Sequence, residues 1–399
     1  MGRMAARVDS AEALAADALD WMVGSVPSDD HSLYSGGAGV VLALLEGQRH
    51  FGDDRYGDAA LRRAAALVDT DDCSLYFGLT GTAVAQRSVD RLLGVGEAGR
   101  AADRALRIVR SRFDGRRWGD MFELLFGNAG IALGALHAGD PELAVLAVEP
   151  YLDTADKTPG GVNWAVRPSP PRSHHIAHGT LGIVYALAAV GAAAGRDDFL
   201  APALAGAADV VSRNEAGPDG FLVPHSDPQH RPELIERYSY GWCNGPAGDA
   251  QVFRLLGALT GDAAWTALGD RCWHTLTRSG LPHRVRPGFW DNNGRCCGTA
   301  GVLALACDRH VEQGTPLDFA HVLVDDLIAR ATVDAKGARW SNHEHRVTPS
   351  DLPPEAGWAM GNAGIVRELL RFVRLTRGTD PAYAVPWPDH PPAMAPKVS

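Results

Sequence analysis

Four side chains that can bind a metal ion or transfer a proton directly precede copies of a repeated sequence motif. Cys243, Cys296, Cys297 and His178 each lie one or two residues before the first glycine of a Gly-x-x-Gly sequence. Cys296 and Cys297 are adjacent, and a disulfide between neighbouring cysteines closes a strained ring. The pair could be two buried apolar residues, halves of two separate disulfides, or two ligands of one metal. With 6 cysteines in the chain and no regular framework of them, metal binding or catalysis is favoured over disulfides.

Three cysteines at this position are suitable donors for zinc, which thiolate sulfur binds tetrahedrally. Three protein ligands and one open position describe a catalytic zinc site rather than a structural one. The positive end of a helix that starts at each motif would favour thiolate over thiol. Buried thiols without a metal remain the alternative. The other cysteines lie outside the motif and are predicted to be buried apolar residues; they are Cys73, Cys272 and Cys307.

The Gly-x-x-Gly motif occurs seven times, and this repetition is the strongest structural signal in the sequence. Successive motifs lie 42 to 66 residues apart, which is long enough for one helical hairpin each. Repeats of this kind indicate an array or a closed ring of similar units. The first glycines of the motifs are Gly36, Gly78, Gly127, Gly179, Gly245, Gly298 and Gly361.

The segments around the motifs have the periodicity of helices. "AALRRAAALV" and "AADRALRIVRSRF" place apolar residues at i, i+3, i+4 and i+7. The sequence therefore predicts an all-α fold, an (α/α) toroid of seven helical hairpins, with an open helical solenoid as the alternative. The motif glycines are expected to supply an initiating turn with positive φ and close backbone packing. Residues 1–380 are predicted to form a single domain, and residues 381–399 a Pro-rich tail.

Composition and charge exclude several classes of function. The chain is 46% hydrophobic and 22% charged, which is typical of a soluble globular protein with a large core. Its formal net charge of -10 argues against nucleic acid as a partner. The N-terminus lacks the apolar region of an export signal, and no run of apolar residues is long enough to span a membrane. We therefore expect a cytoplasmic protein without a membrane span.

Three motifs resemble those of the lanthionine synthetase C-like (LanC-like) family: "GWCNGPAG", "CCGTAG" and "AHGTLG". The resemblance covers nearly the whole chain and implies an α/α toroid with one zinc ion. It also implies that peptide cysteine thiols are added to dehydrated Ser or Thr residues, which gives lanthionine rings. By this resemblance the zinc ligands are Cys243, Cys296 and Cys297, and the acid/base residue is His178.

The sequence departs from the family pattern at three positions. Cys297 stands where the third zinc ligand is usually histidine, so the bound metal would be more electron-rich. Glu123 stands where the bacterial cyclases commonly have Asp, and it is a candidate for orienting or pairing with His178. Ser239 stands where many cyclases have arginine. Arg237 lies close by but out of register, and Arg237 and Asn244 are the candidate substrate-binding residues.

The resemblance also predicts the partners of the chain. The substrate would be a dehydrated precursor peptide, and a separate dehydratase or kinase/lyase would supply it, because the sequence has no nucleotide-binding or kinase signature. Two alternatives remain: addition of glutathione to dehydroamino acids, and a non-catalytic, zinc-stabilised scaffold that binds the peptide. A toroidal glycosidase would need paired carboxylates, and only Glu123 is in register for that role.

Other histidines are interpreted as structural or surface residues. His174 and His175 precede the His178 turn and are expected to be surface loop residues rather than part of the site. The sequence "WSNHEHR", residues 340–346, contains His343 and His345 and is predicted to be a loop, with contact to the peptide as the alternative to a plain surface role.

Overall fold

The computed structural model describes residues 2–25, 29–283, 292–343, 351–388 and 390. These residues are mostly α-helical, and their strands form only short two-stranded antiparallel pairs, so the all-α prediction is confirmed. The helices are α1 (Gly2–Gly24), α2 (Gly37–Phe51), α3 (Asp54–Ala65), α4 (Leu79–Leu93), α5 (Gly96–Ser111), α6 (Asn128–Ala138), α7 (Pro141–Val148), α8 (Pro150–Thr154), α9 (Thr180–Ala194), α10 (Leu200–Val211), α11 (Pro246–Thr260), α12 (Ala263–Arg278), α13 (Thr299–Gln313), α14 (Asp318–Arg330) and α15 (Asn362–Thr376). The strands are β1 (Asp156–Thr158), β2 (Gly161–Asn163), β3 (Arg172–Ser173), β4 (Ser226–Asp227), β5 (Thr332–Asp334) and β6 (Gly337–Arg339).

Every Gly-x-x-Gly motif begins a helix, and we call these the motif helices: α2, α4, α6, α9, α11, α13 and α15. The first glycine is the N-cap residue in each, and no side chain caps the helix. Its backbone is extended, with φ from -109° at Gly36 to -170° at Gly245. The predicted positive φ at the start of these helices is therefore wrong. Left-handed glycines instead end six of them, at Gly52, Gly94, Gly139, Gly195, Gly261 and Gly314.

Close backbone approach explains why the motif requires glycine. A Cβ atom added to Gly248 would lie 1.9 Å from the carbonyl oxygen of Trp242, which precedes it by one tight turn. A Cβ atom added to Gly130 would lie 2.0 Å from the carbonyl oxygen of Leu124. Neither oxygen can move without opening the turn, so only glycine fits. The predicted close packing is thus confirmed.

The motif helices are buried over nearly their whole surface, whereas the helices next to them bury one face. In α9 every residue from Thr180 to Ala188 is buried, and this helix packs against α10. The neighbour of α2 is α3, which is amphipathic and buries mainly small residues and Tyr56. The pairs α2 with α3, α9 with α10 and α13 with α14 are thus helical hairpins, as the repeat spacing predicts. No helix among the described residues is long and apolar enough to cross a membrane.

The chain divides into two compact units. The first comprises Met1–Asp72, Tyr76–Arg107 and Thr277–Val385, and in it the motif helices pack in the order α13, α15, α2, α4. The second comprises Cys73–Leu75, Ile108–Leu276 and Pro386–Ser399, and in it α9 packs between α6 and α11. The single domain over residues 1–380 stays a prediction.

The first unit contains a buried network of charges on α15. Arg374 pairs with Glu46 at 2.5 Å, and Arg371 pairs with Asp308 at 2.7 Å. The hydroxyl group of Tyr383 donates a hydrogen bond to the buried carboxylate of Glu368 at 2.6 Å. Because buried charges are costly unless paired, this network ties the segment after α15 to the helical core. Residues 389 and 391–399 of the predicted tail lie outside the described residues.

Candidate metal centre and acid/base site

Backbone hydrogen bonds fix neighbouring motif turns to one another at one register, two residues before the first glycine. In the second unit, Leu125 N–H donates to Ala177 and Ala177 N–H donates to Cys243. The first unit has the same pattern. Cys296 N–H donates to the backbone oxygen of Ala359, Ala359 N–H to that of Tyr34, and Tyr34 N–H to that of Tyr76. Side chains at this register therefore have fixed positions within each unit.

The sulfur atoms of Cys243, Cys296 and Cys297 all lie within 4.8 Å of one another. The three side chains are buried, and none of the six cysteines, all of which lie among the described residues, forms a disulfide, so the disulfide interpretation is wrong. Zinc–sulfur bonds of about 2.3 Å place tetrahedral ligands about 3.8 Å apart, and the Sγ–Sγ distance between Cys296 and Cys297 is 3.4 Å. The donor set and its spacing thus fit one metal ion. The two adjacent cysteines could bind the same ion because the irregular turn before α13 brings their sulfur atoms together.

Two polar side chains contact the sulfur atoms of this cluster. The hydroxyl group of Tyr34 donates to Cys296 Sγ at 3.6 Å, and Asn244 Nδ2 donates to Cys243 Sγ at 3.5 Å. Asn244 was a predicted substrate-binding residue, and it lies against a candidate metal ligand. The sequence analysis did not single out Tyr34, although it has the same register as the cysteines.

His178 and Glu123 lie together in the second unit. His178 Nδ1 is 3.7 Å from Glu123 Oε1; the histidine side chain is 29% exposed and the glutamate fully buried. The Glu123 carboxylate accepts hydrogen bonds from the backbone N–H groups of Leu125 and Phe126, at 2.5 and 3.1 Å. The Phe126 ring stacks on the His178 ring with a centroid distance of 6.2 Å. A rigid carboxylate and an aromatic ring therefore orient an imidazole that solvent or substrate can reach.

Behind His178 the structure contains a cluster of buried histidines that the sequence did not reveal. His174 and His175 are almost fully buried, so the expectation that they are surface residues is wrong. The β3–β4 pairing and the hydrogen bond from His174 N–H to the backbone oxygen of His225 join this segment to a second one, so it is packed rather than a surface loop. His175 Nδ1 lies 2.8 Å from the Asp249 carboxylate in α11. The sequence has no signal that would show whether two adjacent histidines in a loop are buried or exposed.

Burial dominates the electrostatics of this histidine cluster. It raises the pKa of Asp249, an effect that His175 opposes. Burial also lowers the pKa of His174 to about 3 and that of His225 to about 3, and neighbouring histidines add to both effects. Both imidazoles are therefore neutral at physiological pH.

The remaining predicted residues make contacts with side chains outside the cysteine cluster and the His178–Glu123 pair. Arg237 is exposed and pairs with Glu215, whose carboxylate also accepts a hydrogen bond from Tyr238. His343 Nδ1 lies 2.6 Å from the Asp351 carboxylate, and residues 344–346 of the predicted loop lie outside the described residues. The other three cysteines are buried as predicted. Burial raises the pKa of the thiol to about 12 in one of them, Cys307.

Solved structures with a similar fold include two enzymes. Nisin cyclase superposes with a TM-score of 0.64 at 15% sequence identity, over 90% of this chain and 91% of its own. An unsaturated glucuronyl hydrolase specific for heparin superposes with a TM-score of 0.53 at 11% identity, over 94% and 98% of the two chains. The likeness shows that the fold is the predicted (α/α) toroid rather than an open solenoid.

Among curated proteins, none matches this sequence. Residues 27–220 and 228–324, which are well over half of the chain, match the family described as lanthionine synthetase C-like protein. The matched region includes His178 and Glu123 and the cysteines of the candidate metal centre. The chain therefore belongs to the lanthionine synthetase C-like family.

Proposed function

We propose that this protein is a zinc-dependent lanthipeptide cyclase. The observation that carries the proposal is the cluster of three buried sulfur atoms within 4.8 Å, in a chain of the LanC-like family. Cys243, Cys296 and Cys297 would hold the metal. A zinc ion held there would supply Lewis acidity and would lower the pKa of a substrate thiol towards neutrality.

The reaction proposed is the addition of a peptide cysteine thiol across the double bond of a dehydroalanine or dehydrobutyrine. The thiol first loses its proton, and His178 is the candidate to accept it. The sulfur then bonds to the β-carbon, the π electrons move to an enolate, and a proton is added at the α-carbon. His178 is the proposed proton donor, because an imidazole exchanges protons near neutral pH and its side chain is partly exposed.

Glu123 acts as a positioning residue in this proposal. Its carboxylate is held by two backbone N–H groups and faces His178 Nδ1, so Nε2 is the nitrogen directed to the substrate. The stacking of Phe126 on the His178 ring favours this orientation. Asn244 and Arg237 are proposed to act on the peptide substrate.

A dehydrated, cysteine-containing peptide incubated with the zinc-loaded protein tests the proposal. Cyclisation would consume one free thiol without a change in mass, since the addition is intramolecular. A second incubation contains glutathione, because addition of glutathione to dehydroamino acids is one of the alternatives that the sequence leaves open. A gain of one glutathione mass would instead favour glutathione addition, and binding without reaction would favour a non-catalytic scaffold. The dehydrated peptide is proposed to come from a separate dehydratase or kinase/lyase.

A further inference from the structure

Tyr34 contacts the candidate metal ligand Cys296, although neither the motif pattern nor the proposed mechanism gives Tyr34 a role. The Tyr34 hydroxyl group donates to Cys296 Sγ at 3.6 Å, within the range of hydrogen bonds to the larger sulfur atom. Both residues belong to the first unit, and their backbones are joined through Ala359. The interaction is therefore between two fixed turns rather than between mobile side chains.

Aromatic packing fixes the direction of the Tyr34 hydroxyl group. The Tyr34 ring stacks on Phe77, with a centroid distance of 4.9 Å and an interplanar angle of 29°. It meets Tyr76 edge to face at 6.4 Å. The turn between Tyr34 and Cys296 carries only the methyl group of Ala359 at this register, which leaves room for the ring to extend to the sulfur atom.

Three thiolates carry one more negative charge than two thiolates and an imidazole, so a three-cysteine site has a greater need for hydrogen-bond donors. A hydrogen bond to a charged acceptor is about twice as strong as one to a neutral acceptor. A donor fixed beside Cys296 would therefore stabilise the negative charge that this sulfur atom carries as a metal ligand. Groups that contact metal ligands in this way are commonly required for full metal affinity.

We propose that Tyr34 is a positioning residue of the metal centre, and that its hydroxyl group strengthens zinc binding through Cys296. This inference rests on the proposed function, since it requires that the cysteines bind zinc. Asn244 has the corresponding contact with Cys243 in the second unit.

The test compares zinc affinities, measured by competition with a chromogenic chelator, for the wild type and three variants. Tyr34→Phe removes the hydroxyl group and keeps the stacked ring, and we expect its affinity to fall by about tenfold to 100-fold. Tyr56→Phe is the matched control, because it removes a hydroxyl group that bonds to Asp20 in the same unit but outside the site. Phe77→Leu removes the stacking partner and keeps the hydroxyl group, and we expect a smaller loss than in Tyr34→Phe.

A second readout uses cobalt-substituted protein, in which the sulfur-to-cobalt charge-transfer band should shift in Tyr34→Phe and stay unchanged in Tyr56→Phe. Equal zinc affinity and an unshifted band in Tyr34→Phe would overturn the inference but leave the proposed function intact. An affinity loss in Tyr56→Phe as large as that in Tyr34→Phe would also overturn it, because the loss would then not be specific to a hydroxyl group at the site. A wild-type protein that binds no zinc would refute both proposals.

Discussion

The buried histidines His174 and His225 predict a specific loss of stability in acid. In the folded protein their imidazoles have pKa values of about 3, because burial disfavours the charged ring. In the unfolded chain a histidine has a pKa of about 6.5. Both values are lowered on folding, so the stability that these groups contribute is fully present above pH 6.5 and is lost as the pH falls towards 3.

The magnitude follows from the difference between the two states. At pH 5 the unfolded imidazole is mostly protonated and the folded one is not, which costs about 2 kcal/mol per histidine relative to pH 7. His174 and His225 together should therefore lower the free energy of unfolding by about 4 kcal/mol over this range. Among the neighbouring ionisable groups, His175, His178 and His174 lower the pKa of His225 further. His175 and Arg213 likewise lower the pKa of His174, whereas Asp209 raises it.

Urea denaturation at pH 7, 6 and 5, with chelator present throughout, measures this effect. The double variant His174→Asn/His225→Asn should lose about 4 kcal/mol less than the wild type between pH 7 and pH 5, whatever its stability at pH 7. His283→Asn replaces an exposed histidine and is the matched control, for which we expect the wild-type slope. Parallel slopes for the wild type and the double variant would refute the argument, since the buried imidazoles would then not be its source.

Three further predictions concern the site and the motif. Cys297→Ala should lose bound zinc and cyclisation together, measured by metal analysis and the peptide assay; a variant that kept both would show that the ligand assignment is wrong. His178→Asn should bind zinc as the wild type does but cyclise at least about 100-fold more slowly, and an unchanged rate would remove His178 from the mechanism. Gly248→Ala should be destabilised by several kcal/mol or fail to fold, because its Cβ atom would meet the Trp242 carbonyl oxygen at 1.9 Å. The control is Gly269→Ala, whose Cβ atom would have no atom within 4 Å. In thermal denaturation this control should be as stable as the wild type or about 1 kcal/mol more stable.

Much of the fold and of the site could be predicted because they depend on local, repeated signals. A helix follows each Gly-x-x-Gly motif wherever it occurs, since the glycine is needed for close approach in one tight turn. The predicted positive φ at these glycines was wrong because steric crowding and backbone conformation both select glycine, and the sequence does not distinguish them. The helices α3 and α5 could likewise be predicted, because their amphipathic periodicity is visible in the apolar positions of each segment alone.

The sequence alone establishes the all-α repeat and the placement of Cys243, Cys296, Cys297 and His178 directly before three of the repeated motifs. The tertiary structure decided that the three sulfur atoms lie within 4.8 Å of one another. It also decided that His175 is buried against Asp249 rather than exposed. The physical reason is that register is a property of the chain, whereas burial and distance depend on which turns and helices pack against one another.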